Sequence, residues 1–551
     1  MYKKIPIGID NFKELIENNY YYIDKTELIS DILSKGAKVN LFPRPRRFGK
    51  TLAMSMVDEY FNIKKKENNI DLFKGLNIEK ASKEIQMQQG KYPVIFMSLK
   101  GIKDLSWENE YNSLKGLISG IYRENAEVLD ILENEEKIYY NAILNETADI
   151  SKFKMSVKKL CIYLERYYGE KAVVLIDEYD APIEASFLHG FYDECISFMK
   201  DFFGEALKTN ESLKFSCMTG ILKISKESIF SGLNNLKVYS ILDEGYSEYF
   251  GFLENEVEEM LDKYEINDMK QDIKSWYNGY TFGNHKIYNP WSILNVVNRK
   301  QIQAYWANTG GIGLIQNMFE KSSLDVKENL KTLLEGKSVT IKIDSNMVYS
   351  DITRNKESIY MFLLLTGYLT FENYRLEGIT HYAEIRIPNS EIQIEFRRIV
   401  DRWFEVTDTV QVLENFHRSI LDVDLERANY YLNDILIKSA SYYDTMENFY
   451  HGFMLGIFVG LTDKYIVTSN REAGLGRYDM QIEKRDGSIG YILEFKIADK
   501  EESDLEEMAN YALEQIKVKK YDIALKDRKI PKIIKYAVVF NKKEALVVLA
   551  D

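Results

Sequence analysis

The residues near the start of the chain that are best suited to chemistry are Gly49, Lys50 and Thr51. They follow residues 39–42, which predict a short buried strand, and they open a segment that predicts a helix with an apolar face. A helix N-terminus presents unpaired N–H groups and a positive dipole end, so it can hold phosphate. The lysine would then reach the β- and γ-phosphates, and the threonine hydroxyl would hold Mg²⁺. The usual pattern has a further glycine where this chain has Arg44, so an ordinary helix start is the alternative.

A second candidate group follows the apolar run at residues 172–176. A strand buried on both faces is apolar throughout, and polar residues appear where it emerges at the carboxyl edge of the sheet. Asp177 is then placed to hold Mg²⁺ through water, and Glu178 to activate the attacking water. The pair could instead cap the next helix, but the phosphate-loop unit followed by this strand is a much rarer coincidence. We therefore expect binding of a nucleoside triphosphate, with hydrolysis as a further expectation.

Thr219 lies at the end of a further predicted strand, at residues 213–220. Strands that alternate with helices over roughly 230 residues predict a parallel sheet covered by helices. In such a sheet, a hydroxyl between the phosphate-loop strand and the Asp177 strand could sense the γ-phosphate. A strand-terminal threonine without a role is an equally good interpretation.

Near the other end of the chain, Asp479, Glu494 and Lys496 lie on a predicted β-hairpin. Asp-Gly at 486–487 is a strong signal for a two-residue turn, and with that turn Asp479 faces Glu494. Opposed carboxylates repel by roughly 0.2–1 kcal/mol, and a divalent cation such as Mg²⁺ between them removes that cost. Such an ion polarises a phosphodiester and lowers the pKa of a bound water, while Lys496 orients the water or offsets developing charge. The alternative is an exposed face of mixed charges, and the hairpin alone does not decide between the two.

The predicted elements around the hairpin are a helix at 444–461, a strand at 465–467, a helix at 505–519 and strands at 533–540 and 545–549. This α-β-β-β-α-β order resembles the restriction-endonuclease-like core. Asp479, followed by Glu494-Phe495-Lys496, matches the D…(D/E)-x-K signature of that superfamily. Weaker candidates on the two helices are Glu447, Gln515 and Lys519.

The bulk properties exclude some functions. A net charge of −13 over 551 residues gives no general attraction to nucleic acid or anionic membrane, so a nucleic-acid site needs a local basic patch or a metal. Three scattered cysteines suit a reducing compartment. The N-terminus has no apolar signal core, and the longest membrane-like segment, 453–461, is too short to span. We therefore expect a cytoplasmic protein that does not enter the membrane.

The length suggests about three or four domains. We expect an α/β chain with a P-loop NTPase domain at 1–300, a helical, winged-helix-like linker domain at 301–440 and a restriction-endonuclease-like domain at 441–551. Two aromatic turn segments, 276–280 and 288–292, are interpreted as structural corners.

The whole chain resembles the AAA-ATPase-like proteins that carry a C-terminal PD-(D/E)xK nuclease domain and are common in bacteria. The motifs that carry this resemblance are residues 22–26, 44–51, 175–180, 219–235, 276–280 and the hairpin. The family shares the arginine at position 44, so that departure does not exclude ATP. The resemblance implies an ATP-driven switch joined to a nuclease-like module, with ATP and Mg²⁺ as cofactors and DNA or RNA as a partner.

The chain therefore has predicted residues for each role. Predicted nucleotide-binding residues are Arg46, Arg47, Phe48, Gly49, Lys50, Thr51, Leu52, Asp177 and Thr219. Predicted metal ligands are Thr51, Asp177, Asp479 and Glu494, and predicted catalytic residues are Glu178, Asp479, Glu494 and Lys496. The alternative function is a nucleotide-operated signalling or binding protein whose hairpin only grips nucleic acid or is inert. The sequence leaves open whether copies of the chain assemble into a homo-oligomer.

Overall fold

The computed structural model describes residues 2–35, 37–222, 235–306, 324–343, 356–405, 409–439, 447–459, 461, 464–498, 505–542 and 544–550. Contacts divide the chain into two compact units: residues 1–309 with 338–392, and residues 310–337 with 393–551. Most of the motif at 219–235 lies outside the described residues. Within the described part of the chain, no helix is long and apolar enough to cross a membrane.

The first half of the first unit alternates helices with strands. In chain order these are α1 Phe12–Glu17, α2 Glu27–Lys35, β1 Val39–Pro43, α3 Lys50–Phe61, α4 Lys66–Asn69, α5 Lys83–Gln86, β2 Val94–Ser98, α6 Trp107–Glu124, α7 Asn134–Leu144, α8 Ile150–Tyr168, β3 Ala172–Asp177, α9 Ala181–His189, α10 Tyr192–Leu207, β4 Leu213–Gly220 and β5 Leu236–Val238.

These five strands form one parallel sheet in the order β2-β3-β4-β1-β5. Every residue of β1 and β3 is buried, as expected for central strands of a sheet that is covered on both faces. β4 lies between β1 and β3, as the sequence predicts. Because the strands are parallel, Pro43, Asp177 and Gly220 end three neighbouring strands at the same edge. The prediction of a parallel, helix-covered sheet is confirmed.

The middle of the chain holds helices and two small antiparallel sheets. Its elements are β6 Phe252–Leu253, α11 Glu254–Lys263, α12 Lys270–Tyr277, β7 Tyr280–Phe282, β8 His285–Tyr288, α13 Pro290–Arg299, α14 Leu324–Leu334, β9 Val339–Lys342, α15 Lys356–Thr366, β10 Thr370–Glu377, β11 Thr380–Arg386, α16 Ser390–Glu405, α17 Thr409–Asp422 and α18 Leu425–Ser439. The sheets run β6-β8-β7 and β10-β11-β9. The two compact units divide the chain at 309/310, 337/338 and 392/393. This division into two units does not test a three-domain arrangement, so the domain boundaries at 300 and 440 stay a prediction.

Gly279 shows why the aromatic turn at 276–280 needs a glycine. Its φ is +117°, and a Cβ added there would lie 2.0 Å from the carbonyl oxygen of Pro388. A residue with a side chain would be both strained and in collision with that backbone. The turn is therefore a tight packing point of the first unit.

The second unit ends in a five-stranded mixed sheet. Its elements after α18 are α19 Glu447–Val459, β12 Tyr465–Ala473, β13 Gly476–Lys484, β14 Gly490–Ile497, α20 Leu505–Lys519, α21 Ile523–Asp527, β15 Ile533–Asn541 and β16 Glu544–Leu549. The strand order is β12-β13-β14-β15-β16, with β14 parallel to β15 and the other pairs antiparallel. The crossover helix α20 packs Ala509 and Ala512 against Ala537 and Val539 of β15. The predicted α-β-β-β-α-β order is confirmed.

Candidate functional site

The phosphate loop, residues 44–49, connects β1 to α3. Arg47 and Gly49 both have left-handed backbone, with φ of +69° and +83°. Gly49 adopts this conformation without strain, whereas a residue with a side chain would lose roughly 1 kcal/mol or more there. The turn leaves the first N–H groups of α3 without intrahelical acceptors, which is the condition for binding an anion.

Arg44 stands where the usual pattern has glycine, and its side chain is fully buried away from the loop. Its guanidinium donates to the carbonyl oxygens of Tyr239 at 2.5 Å and Tyr246 at 3.2 Å. The rings of Phe250 and Phe282 lie 5.0 and 5.4 Å from it. Burial lowers the pKa of Arg44 to about 9. Arg44 therefore ties the end of β1 to the segment after β5 and leaves phosphate binding to the residues that follow.

Lys50 and Thr51 open α3 beside Asp177. Lys50 is almost fully buried, and its Nζ donates to the carbonyl oxygens of Arg44 and Pro45, both at 3.0 Å. Burial lowers the pKa of Lys50, although the nearby carboxylate of Glu178 acts against this. The Thr51 hydroxyl donates to Asp177 Oδ2 at 2.9 Å. The Thr51 hydroxyl and the Asp177 carboxylate are thus in contact, while Lys50 Nζ is held by carbonyl oxygens of the loop.

Thr219 completes a line of hydrogen bonds behind Thr51. Its hydroxyl donates to Asp177 Oδ1 at 2.6 Å, so each carboxylate oxygen of Asp177 accepts from one threonine. Asp177 and Thr219 are both fully buried and do not line the cavity described below. Thr219 therefore contacts the carboxylate of Asp177, and its role as a sensor of the γ-phosphate stays a prediction.

Glu178 and Asp180 follow β3 but point to different places. Glu178 has φ of +51°, which turns its half-buried side chain to the cavity that Lys50 also lines. Asp180 is buried and accepts hydrogen bonds from the backbone N–H groups of Ile221 and Leu222 at 2.8 and 2.9 Å. Burial raises the pKa of Asp180 to about 6. Asp180 thus holds the end of β4, and of these two acids Glu178 is the one that lines the cavity.

The other predicted nucleotide-binding residues have separate surroundings. Arg46 forms a two-oxygen ion pair with Glu184 at 2.9 and 3.0 Å. The Phe48 side chain is fully buried, so its contribution to a ligand would come from its backbone. Leu52 lines the cavity from α3, and the Arg47 guanidinium lies 3.8 Å from the ring centre of Trp291.

The phosphate loop lines a cavity of about 450 Å³. Its lining includes Gly49, Lys50, Thr51 and Glu178, and also Trp291 from the segment interpreted as a structural corner. The sequence did not predict that Trp291 lines this cavity, because no local pattern shows that α13 starts beside the phosphate loop. Volumes of roughly 300–1,000 Å³ are usual for small-molecule sites.

The hairpin of the second unit has the predicted register. Met480 lies opposite Leu493 and Ile482 lies opposite Tyr491, which is the register predicted from the pairing of Asp479 with Glu494. The predicted two-residue turn is wrong: Lys484 N–H donates to the carbonyl oxygen of Ile489 at 3.0 Å, which leaves a four-residue loop. Only Gly487 has a positive φ there, whereas the predicted turn needs two such residues. The longer loop is centred on the same point, and this keeps the pairing.

Asp479 and Glu494 meet where the hairpin ladder ends. The last paired residues are Met480 and Leu493, and beyond them Asp479 Oδ2 accepts a hydrogen bond from Phe495 N–H at 2.7 Å. Glu494 is 1% exposed, and its Oε1 accepts from Lys496 Nζ at 3.2 Å. Its Oε2 is buried and has no hydrogen-bond partner among the described residues. Burial, and then the neighbouring carboxylate of Asp479, raise the pKa of Glu494 above its usual value.

Helices supply two further side chains. Gln515 of α20 donates to Glu494 Oε1 and also contacts the hydroxyl of Tyr521 at 3.1 Å. His451 of α19 is nearly buried, with Nδ1 3.6 Å from Asp479 Oδ1. Sequence reasoning missed His451, although it is the only histidine after residue 440. The side chain of the weaker candidate Glu447 lies outside the described residues.

The donor set fits a hard divalent cation with few protein ligands. Among the residues that the structure describes, no three His, Cys, Asp or Glu side chains form a metal-binding cluster. Mg²⁺ commonly takes one or two carboxylates and completes its shell with water and substrate phosphate. Asp479 with the Oε2 of Glu494 matches that requirement. Beside the phosphate loop, Thr51 lines the cavity, whereas both carboxylate oxygens of Asp177 accept from threonine hydroxyls, so Asp177 fits as an outer ligand that acts through water.

Comparison with known proteins finds a family match for each end of the chain. Residues 6–230 match a family model described as predicted AAA-ATPase, and residues 445–549 match the PD-(D/E)XK nuclease superfamily. An uncharacterized protein in the vnfD 5′ region of Azotobacter chroococcum mcd 1 is 26% identical over 542 residues, which cover 94% of this chain and 93% of that relative. The chain therefore joins an AAA-ATPase-like domain at residues 6–230 to a domain of the PD-(D/E)XK nuclease superfamily at residues 445–549.

Proposed function

We propose that this protein is an ATP-binding and ATP-hydrolysing switch coupled to a Mg²⁺-dependent nuclease that cleaves phosphodiester bonds of DNA or RNA. The observation that carries the nuclease half is the buried Oε2 of Glu494, which lies beside Asp479 and has no hydrogen-bond partner among the described residues, because two ionised carboxylates there are costly unless a cation or a bound proton neutralises them. The ATP half rests on Lys50, Thr51 and Asp177 at the end of the phosphate loop.

In the first unit each side chain has a distinct part. Lys50 would leave the carbonyl oxygens of the loop for the β- and γ-phosphates, and Thr51 with Asp177 would hold Mg²⁺. Glu178, turned toward the cavity, would accept a proton from the attacking water. The half-buried side chain of Glu178 in the same cavity as Lys50 supports this assignment.

In the second unit the proposed ligands are Asp479 and Glu494. When bound there, Mg²⁺ supplies charge that polarises a phosphodiester and lowers the pKa of water. Lys496, 3.2 Å from Glu494 Oε1, would place its positive charge against the developing negative charge of the scissile phosphate. Gln515 orients the Glu494 carboxylate so that Oε2 stays available.

The nuclease proposal is tested with purified full-length protein, plasmid DNA and a structured RNA, with Mg²⁺ or EDTA, and with or without ATP. We expect Mg²⁺-dependent cleavage by the wild type and none by Glu494→Gln. Glu472→Gln is the matched control, since Glu472 is an exposed residue of β12 in the same sheet. Cleavage that continues unchanged in Glu494→Gln would refute the assigned site. Binding of nucleic acid without cleavage by the Mg²⁺-loaded wild type would favour the binding-protein alternative.

The ATP proposal is tested by thermal stabilisation. ATP with Mg²⁺ should raise the melting temperature of the wild type and of Lys74→Ala, an exposed lysine in the same unit. Lys50→Ala should lose that increase, because it removes the positive charge at the phosphates. An equal increase in Lys50→Ala would show that the phosphate loop is not the nucleotide site.

The compartment follows from the cysteines. Cys161, Cys195 and Cys217 are all buried free thiols. Unpaired thiols are typical of reducing compartments. This supports the cytoplasm as the proposed location.

A further inference from the structure

The aromatic segment at residues 288–292 is the motif that the proposed function leaves unexplained. Part of it is structural, because Asn289 accepts a hydrogen bond from Ser292 N–H at 3.2 Å and Pro290 opens α13. Trp291 is different: it is half-buried and lines the cavity that contains the phosphate loop. An aromatic side chain in the wall of a binding cavity is a candidate ligand contact.

The Trp291 ring is held in place by two contacts. Its indole N–H donates to the carbonyl oxygen of Tyr305 at 3.2 Å. The guanidinium of Arg47 lies 3.8 Å from the ring centre, a cation–π contact. Arg47 belongs to the phosphate loop and has a left-handed φ of +69°. One side chain therefore links the aromatic wall to the loop that would hold the phosphates.

The lining of the cavity includes two chemically distinct groups, besides several charged residues. Gly49, Lys50 and Thr51 suit phosphate. A second group is apolar or aromatic and comes from separate parts of the chain: Pro6, Ile9, Ile23, Phe252, Trp291 and Leu294. Inorganic phosphates have no apolar part, so the second group would not contribute to binding them. A planar nucleobase would use this group, because bases stack on aromatic rings and on arginine.

We propose that Trp291, with Arg47 stacked on it, forms the wall of a nucleobase site that is continuous with the phosphate loop. The ligand is then a whole nucleoside triphosphate, recognised through its base as well as its phosphates. Trp291 and Leu294 lie beyond residues 6–230, so the nucleotide site would extend outside the segment that matches the AAA-ATPase family model. This inference rests on the proposed phosphate site.

The test compares ATP with inorganic tripolyphosphate, each with Mg²⁺, by calorimetry on the full chain. The wild type should bind ATP more tightly than tripolyphosphate. Trp291→Ala should weaken ATP binding roughly 5- to 100-fold, the range expected for one base stacked on one aromatic residue, and should leave tripolyphosphate binding unchanged. Trp291→Phe should keep most of the ATP affinity, and Trp107→Phe, at a tryptophan outside the cavity lining, should keep all of it.

Two results would overturn the proposal. If the wild type binds ATP and tripolyphosphate equally well, the cavity has no base site. If Trp291→Ala weakens both ligands equally or neither, Trp291 only supports the loop or has no part in binding. The Lys50→Ala variant tests the phosphate site separately from the base site. If it binds neither ATP nor tripolyphosphate, the proposed phosphate site is supported. If it binds both as the wild type does, the phosphate site is refuted.

A second measurement decides the matter even where Trp291→Ala does not fold. Wild-type protein is irradiated with 8-azido-ATP, and the labelled peptides are identified by mass spectrometry. Label in the peptides that contain residues 6–10, 23, 252 or 290–294 supports the base site. Label elsewhere, or label that excess ATP does not suppress, refutes it.

Discussion

Arg44 and Glu494 are both buried charged side chains. The Arg44 guanidinium donates to the carbonyl oxygens of Tyr239 and Tyr246. Glu494 Oε1 accepts from Lys496. Each residue also has one buried atom with no hydrogen-bond partner among the described residues, Nε of Arg44 and Oε2 of Glu494. Their surroundings differ, because Glu494 lies beside the like charge of Asp479, and a cation between the two carboxylates would relieve that repulsion.

Replacing Arg44 by glycine restores the usual loop pattern, yet we expect it to harm the protein. The variant leaves buried carbonyl oxygens without donors and opens a cavity, which should cost about 3 kcal/mol of unfolding free energy or more. The melting temperature should fall, and ATP affinity should not rise. If the Arg44→Gly variant is as stable as the wild type and binds ATP more tightly, the structural role assigned to Arg44 is wrong. Arg44 would then only weaken ATP binding at a position where glycine is better.

Glu494→Gln should be more stable than the wild type in EDTA, by about 2 kcal/mol at pH 8. The folded-state pKa of Glu494 is raised above its usual value of 4.5, so the folded protein binds this proton more strongly than the unfolded chain. Wild-type stability therefore falls as pH rises above 4.5, and the advantage of the variant grows from pH 5 to pH 8. Melting curves at the two pH values measure it.

The same pair of proteins tests the cation. Mg²⁺ should raise the melting temperature of the wild type and leave that of Glu494→Gln nearly unchanged, because the amide cannot replace the carboxylate as a ligand. Glu472→Gln should respond as the wild type does. Equal Mg²⁺ stabilisation of all three proteins would place the cation elsewhere.

Residue type and spacing were enough to predict part of each site. Asp479, Glu494 and Lys496 lie on one hairpin, so local pairing brings them together. His451 and Trp291 could not be predicted in the same way. Each belongs to a helix whose orientation depends on packing between distant segments, and that packing leaves no local pattern in the sequence.

Among the secondary-structure elements, the alternation of apolar and polar residues predicted which residues of the hairpin face each other. It did not predict where the backbone hydrogen bonds between the two strands end. The ladder stops because Asp479 Oδ2 takes the N–H of Phe495 by a side-chain contact. Such side-chain acceptors compete with backbone pairing, and sequence alternation does not report them. The carboxylate of Asp479 is thus fixed by the strand that carries Glu494.

The crossover helix α20 and the segment after it form a basic surface in an acidic chain. Residues 513–535 contain eight Lys or Arg and only three Asp or Glu. Exposed lysines there with no ion-pair partner among the described residues are Lys517, Lys519, Lys520, Lys529 and Lys532. Lys519 lies one helical turn from Gln515, which contacts Glu494. This surface is therefore suited to phosphate groups next to the proposed nuclease site.

Changing Lys517, Lys519 and Lys520 together to glutamine should weaken DNA binding. The slope of log affinity against log salt should become shallower by about 2 to 3, since each lost phosphate contact removes about 0.9. Binding is measured by fluorescence anisotropy in the Glu494→Gln background, which prevents cleavage. The control changes Lys74, Lys80 and Lys83, exposed lysines of the first unit, to glutamine. Equal losses in the two triple variants would indicate a general charge effect rather than a binding surface.

At the scale of the whole molecule, each unit holds its own proposed reaction. A switch requires that the ATP state of the first unit change the activity of the second, and any such coupling is reciprocal for binding. Two substitutions in the first unit separate the states. Glu178→Gln keeps the phosphate-binding residues but lacks the proposed base, so it should hold ATP, whereas Lys50→Ala should hold none.

With saturating ATP, cleavage by Glu178→Gln should equal that of the ATP-bound wild type, and cleavage by Lys50→Ala should equal that of the wild type without ATP. Typical coupling free energies correspond to roughly 5- to 150-fold in binding affinity, and we expect the two nicking rates to differ by an amount of that order. Initial rates of plasmid nicking measure the difference, with Glu211→Gln, an exposed acid of the first unit, as the control. In Glu494→Gln, DNA should change ATP affinity by the factor with which ATP changes DNA affinity. Identical nicking rates in all variants, together with no mutual effect on binding, would show two independent enzymes in one chain.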